Sequence, residues 1–169
     1  MSQRFDYYSQ SPALAKGLYE LSLAVHRSSL GDTLLDLVNI RASQLNGCAF
    51  CLDMHTKEAK IHGEGELCIY HLSIWRESTL FSETERAALE WTEAVTKLSD
   101  HGVTDKVYDR VRAKLSEAQI SELTFAIGVA TPRCPQSSDR RGQTRPTQPT
   151  LRRDASANYR GIAAPGHDA

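Results

Sequence analysis

The sequence predicts an all-α fold: a helical domain of about six to seven helices over residues 1–128, then a disordered tail over 129–169. Three observations carry that expectation. Leu, Ile, Val and Ala recur three and four positions apart through most of the first 128 residues, the spacing that lines one face of a helix. Nowhere in the same stretch do apolar and polar residues alternate as a half-buried strand requires. N-cap residues and glycines fall between the apolar blocks, where helices begin and end.

Residues 1–10 are polar and aromatic and read as an arm. Ser11 is an N-cap candidate and Pro12 suits the first helical position, so a helix carrying Leu14, Leu18, Leu21 and Val25 runs to about His26. Asp32 is expected to cap the next helix, which carries Leu34, Leu35, Leu37, Val38, Ile40, Ala42 and Leu45. With apolar residues on most sides, this helix should lie between neighbours. Two charges on it need explaining. Asp36 falls near Asn39 and Ser43 on a helical wheel, so periodicity alone places it in solvent; Arg41 projects toward the Leu34/Leu45 side, where it needs a carboxylate partner or an exposed path.

Asn46-Gly47 is a turn signal that ends this helix and starts another, from Cys48 to about His62, stopped by Gly63. Its Asp53, Lys57, Glu58 and Lys60 read as solvated-face charges. Leu67, Ile69, Tyr70, Leu72, Ile74 and Trp75 mark a further helix. Ser82-Glu83-Thr84-Glu85 is a capping box opening a helix with Ala88, Trp91, Val95 and Leu98 on its apolar face. Thr104 is expected to cap a helix with Val107, Tyr108, Val111 and Leu115, and the Ser116–Gln119 box opens the last one, with Ile120, Leu123 and Ile127.

Hydrophobic residues make up 40% of the 169, enough for one domain with a core. A net charge of -1 excludes bulk attraction to nucleic acid or an anionic membrane. No basic and apolar leader opens the chain and no apolar run approaches the roughly 18 residues of a membrane span, so it reads as cytoplasmic. Four cysteines in such a chain fit redox or metal chemistry better than a disulfide scaffold.

The stretch with chemical character is Asn46 to His55. Cys48 and Cys51 are three positions apart and His55 follows four later, so all three lie on one side of a helix. The thiols sit in its first turn, where unpaired N–H groups and the positive end of the dipole favour a thiolate, the reactive and metal-binding form. From the residues alone, the group suits either a dithiol that cycles with its disulfide or a metal site; two small buried apolar side chains are the bland alternative.

Leu34-Leu35-Asp36-Leu37-Val38, then Ile40 through Cys51, then His55 and Glu58-Ala59, resembles the alkylhydroperoxidase D-like (AhpD-like) branch of the carboxymuconolactone decarboxylase family, as do Leu89–Ala94 and Ile120–Thr124. The resemblance covers about residues 10–128. It implies an all-helical subunit in a trimer-based homo-oligomer, acting as a thiol-dependent peroxidase on an organic hydroperoxide or hydrogen peroxide, with no cofactor or metal. By the same resemblance Cys48 and Cys51 are the redox pair, His55 is the histidine of the proton relay, and Asp36 stands where the family usually has Glu. The reductant it implies is an external dithiol, a lipoyl or thioredoxin-like protein. Phe50 occupies a position where better-studied hydroperoxidases carry a second histidine, which implies a thinner relay.

Beyond about Val129 the chain departs from the family. Residues 1–128 carry 13 Lys and Arg against 18 Asp and Glu, whereas 129–169 carry 7 against 3 and five of the six prolines. Such a basic, Pro- and Arg-rich composition predicts disorder, and its abrupt onset reads as a shifted reading frame or a replaced C-terminus. Rival readings of function are a zinc-binding structural module built from Cys48, Cys51, Cys68 and His71, a non-catalytic family member, and a carboxymuconolactone decarboxylase-like enzyme.

Overall fold

The structure, a computed structural model, describes residues 7–130, and all of its regular structure there is helical. The chain runs through α1 (Tyr7–Gln10), α2 (Pro12–His26), α3 (Asp32–Asn46), α4 (Ala49–Ile61), α5 (Glu66–His71) with a 3-10 turn (Leu72–Ile74), α6 (Glu83–Thr96), α7 (Asp105–Arg112) and α8 (Glu117–Ala130). The all-α expectation holds. Part of the expected arm forms the single turn α1, and the expected tail lies outside the described residues, save that Val129 and Ala130 complete α8.

α3 is the axis of the molecule because it is apolar on opposite sides. One side, with Leu34, Leu35 and Val38, packs into a core shared with Val25, Ala88, Trp91, Val111, Leu115, Ile120, Leu123 and Ile127. The other side, with Leu37 and Ile40, meets Ala59 of α4, Leu72, Trp75, Phe81 and Leu89. Each buried leucine here contributes about 2–3 kcal/mol of transfer free energy, so α3 is held by packing rather than by helix propensity. Its neighbours are α4, α6 and α8.

Local signals set the ends. The Ser82 box forms, with Ser82 N donating to Glu85 Oε2 at 2.7 Å and Glu85 N to Ser82 Oγ at 3.3 Å. The Ser116 box forms likewise, Ser116 N to Gln119 Oε1 at 3.0 Å and Gln119 N to Ser116 Oγ at 3.2 Å. Asp32, however, is not the cap of α3: it is the first helical residue, and Gly31 with φ 77° turns the chain in ahead of it. Thr104 sits at the N-cap of α7 without a side-chain cap bond. The apolar stripe of α2 is buried only at Val25, while Leu14 and Leu21 stay exposed. Among the described residues no helix is long and apolar enough to cross a membrane.

Candidate active site

The α3–α4 junction is a helix C-cap followed at once by a helix N-cap. Gly47 takes the left-handed conformation at φ 63°, which a side chain would strain. Its N–H donates to Gln44 O at 3.2 Å and that of Cys48 to Ser43 O at 3.1 Å, the paired bonds of a Schellman turn. Cys48 then serves as the N-cap of α4, its sulfur accepting from Cys51 N–H at 3.2 Å. Cys48 and Cys51 are joined as a disulfide with their Cα atoms 5.4 Å apart. Both are buried. A sulfur here faces backbone N–H groups and the positive end of α4, so a thiolate formed by reduction is stabilised.

His55 lies one turn beyond Cys51 and is buried. Its Nδ1 is 2.8 Å from Glu58 Oε2. A carboxylate only accepts, so Nδ1 carries a proton and donates it to this bond. Asp36, expected in solvent by periodicity and beside His55 by resemblance, is 1% exposed, and its Oδ2 accepts from His62 Nδ1 at 2.7 Å. The structure therefore brings Cys48, Cys51 and His55 onto one face of α4 but gives His55 the carboxylate of Glu58 rather than that of Asp36.

In two helices joined by a tight turn, residues equally far from it stand level, and Asp36, eleven positions before Gly47, comes level with about residue 58, between His55 and His62; it is His62 that its carboxylate meets. Glu58, read from the sequence as a solvated charge, is the carboxylate beside His55, and His62, read as the end of its helix, is the partner of Asp36. The signal was there: Cys48, Cys51, His55, Glu58 and His62 are spaced three or four apart along one stripe.

Burial pushes the Asp36 carboxyl above its ordinary range; the hydrogen bond and charge of His62 pull it back only in part, and Glu58 and Asp32 add to the upward push. His62 is held above its ordinary value by the hydrogen bond to Asp36 and by that carboxylate's charge, with Asp32 and Glu58 adding to it.

Against the carboxymuconolactone decarboxylase family, the match covers residues 12–94. The uncharacterized protein YdfG of Bacillus subtilis is 42% identical over 127 residues, 75% of this chain and 86% of that one. The chain is an AhpD-like member of the carboxymuconolactone decarboxylase family. The crystal structure of ATU0492 from Agrobacterium tumefaciens, a protein of unknown function named as a candidate AhpD antioxidant defence protein, superposes with a TM-score of 0.72 at 40% identity, covering 77% of this chain and 89% of that one. The uncharacterized protein YnjA of Escherichia coli is 35% identical over 104 residues, 61% of this chain but 56% of that relative. Within this AhpD-like chain the zinc grouping has no geometric basis: among the described residues no three His, Cys, Asp or Glu side chains gather as ligands, and Cys48 is bonded to Cys51. Cys68 is a half-buried thiol pushed up to about 12 by burial and by its hydrogen bond to Glu64.

Arg41 finds the carboxylate its position required. Its Nε and Nη2 donate to Glu93 Oε1 at 2.9 and 2.6 Å, Trp75 Nε1 donates to the same oxygen at 2.8 Å, and Arg76 Nη1 reaches Oε2 at 2.5 Å. This cluster ties α3 and α6 to Trp75 and Arg76, the residues that follow the 3-10 turn.

Proposed function

We propose that the chain is a thiol-dependent peroxidase that cycles Cys48 and Cys51 between dithiol and disulfide. The observation that carries this reading is the disulfide at the N-terminus of α4 with a buried His55, hydrogen-bonded to the partly exposed Glu58, one turn away. His55 Nε2 takes the proton of a thiol, and Glu58 steadies the imidazolium that results. The thiolate attacks the terminal oxygen of a hydroperoxide; the O–O bond breaks, the sulfur becomes a sulfenic acid, and the departing alkoxide takes its proton from His55. His55, neutral again, takes the proton of the second thiol; that thiolate attacks the sulfenic sulfur, the S–O bond breaks, the leaving hydroxide takes the proton from His55 and departs as water, and the disulfide forms before further oxidation. An external dithiol, lipoyl or thioredoxin-like, reduces the disulfide by exchange and restores both thiols. One hydroperoxide and one dithiol thus yield alcohol, water and one disulfide.

The test is peroxide consumption with a small dithiol by the wild type, Cys48→Ser and Cys51→Ser. The reading expects each variant to fall by at least about 100-fold, the loss seen when a member of a covalent cycle is removed. Equal rates in all three would overturn it.

A further inference from the structure

The peroxidase reading uses His55 and Glu58 and leaves unexplained why a carboxylate 1% exposed, Asp36, is hydrogen-bonded at 2.7 Å to a histidine at the last turn of α4. A lone buried carboxylate is costly, so its partner has a purpose.

α4 shows what that purpose is. Only Cys51, His55 and Ala59 are buried along its 13 residues, and of these Ala59 joins the core formed by Leu37 and Ile40 of α3. Its N-terminal end is secured by the two-residue junction and the Schellman bonds. Its other end has Ala59, the partly buried Leu52 nearer the middle, and the His62–Asp36 bond. The exposed charges of the helix do not help: Lys57 pairs with Asp53 on the same helix at 2.6 Å, and Lys60 pairs with Glu66 of α5. The one charged link from α4 to α3 among the ion pairs of the described residues joins His62 to Asp36.

We propose that His62 is a positioning residue for the dithiol site: bonded to Asp36, it latches the C-terminal end of α4 onto α3 and so holds Cys51, His55 and Glu58 in register, and the latch is strongest while the imidazole carries its charge. The activity arm of this inference rests on the peroxidase reading; the structural arm does not.

The sign of the pH dependence follows from the groups around the latch. His62 faces Asp36 and Asp32 of α3 and Glu58 of its own helix, all acidic, and Asp32 in turn meets His26 of α2 at 3.9 Å. With its folded value raised, His62 stabilises the latch fully below the unfolded value of about 6.5 and loses that contribution as pH rises through the folded value. Asp36 is raised as well, so ionising it weakens the fold as pH climbs past its unfolded value. The latch itself needs Asp36 ionised, so it is the loss of charge on His62 that loosens it toward alkaline pH.

Amide hydrogen exchange of residues 52–61 in the oxidised protein, corrected for intrinsic base catalysis and followed from pH 6 to pH 9, tests the structural arm, with peroxidase kcat/KM over the same range as the second readout. In the wild type, protection of α4 should fall about tenfold through the His62 titration. His62→Gln keeps a hydrogen-bond donor without the charge, so this limb should vanish from both readouts; His62→Ala should leave α4 poorly protected at every pH. Wild-type protection at every pH in His62→Ala, or the wild-type limb persisting in His62→Gln, would overturn the inference. If Cys48→Ser leaves peroxide consumption unchanged, the peroxidase reading fails by itself and the exchange experiment still decides the latch.

Discussion

Two carboxylates withdrawn from solvent meet at α3, Asp36 of α3 itself and the partly buried Glu93 of α6, and they have opposite kinds of partner. Glu93, 17% exposed at its side chain, is gripped by the permanent cations Arg41 and Arg76 and by the indole N–H of Trp75. Burial alone would push its carboxyl up, but the hydrogen bonds from Trp75, Arg76 and Arg41 hold it below the ordinary range. Asp36 is met by a histidine, which can give up its charge, and burial wins: its carboxyl is pushed up. A carboxylate that must never change state is paired with guanidinium. A carboxylate paired with imidazole answers to pH, and it is this one that lies under the helix bearing the cysteines.

That contrast should break first at Glu93. Glu93→Ala leaves Arg41, 14% exposed at its side chain, and the Trp75 N–H without their acceptor, and should lose about 3–5 kcal/mol in urea or guanidinium unfolding. A loss under about 1 kcal/mol would show that the cluster is ornamental. Asp36→Asn is isosteric and removes a buried charge while retaining an acceptor for His62. Its unfolding free energy at pH 7 should change by no more than about 1 kcal/mol, measured by the same titration.

The two regions also part company with pH. Glu93, with its folded value depressed, contributes stability that is present above about pH 4.5 and is lost as pH falls through the folded value. The stability gap between wild type and Glu93→Gln should close in acid, whereas that between wild type and His62→Gln should close in alkali. Unfolding midpoints from pH 3 to pH 9 test both, and gaps closing at the same end would contradict the contrast. The smallest effect belongs to Cys68, whose thiol is pushed up to about 12. It should stay protonated and alkylate slowly at pH 8, and Cys68→Ala should keep the wild-type rate of peroxide consumption and stability within about 1 kcal/mol.

Much of this was legible in the chain. The burial of α3, the Gly47 turn, the two capping boxes and the need of Arg41 for an acid all follow from residue types at fixed spacings, because they are local or depend on one amphipathic pattern. Asp36 was misplaced for a definite reason. The wheel correctly grouped it with Asn39 and Ser43, but on a helix covered on most sides that polar face is itself buried, and Ser43 satisfies its hydroxyl on Asn39 O at 2.7 Å. A pattern of polar residues shows which side they share, not what covers it. The partner His62 depends on how far the hairpin runs before the two helices stand level, a tertiary quantity that periodicity does not carry. The exposed Leu14 and Leu21 of α2 show the converse limit: the stripe was right and the cover was not there among the described residues.

The central claim is that the bond between Cys48 and Cys51 is the one made and broken in turnover. Reduced protein freed of reductant and given one equivalent of an organic hydroperoxide measures it directly, with thiols counted, alcohol quantified and disulfides mapped by peptide mass. The account predicts one Cys48–Cys51 bond and two thiols lost for each alcohol formed. Hydroperoxide left intact, or alcohol formed while both of those thiols stay free, would contradict it.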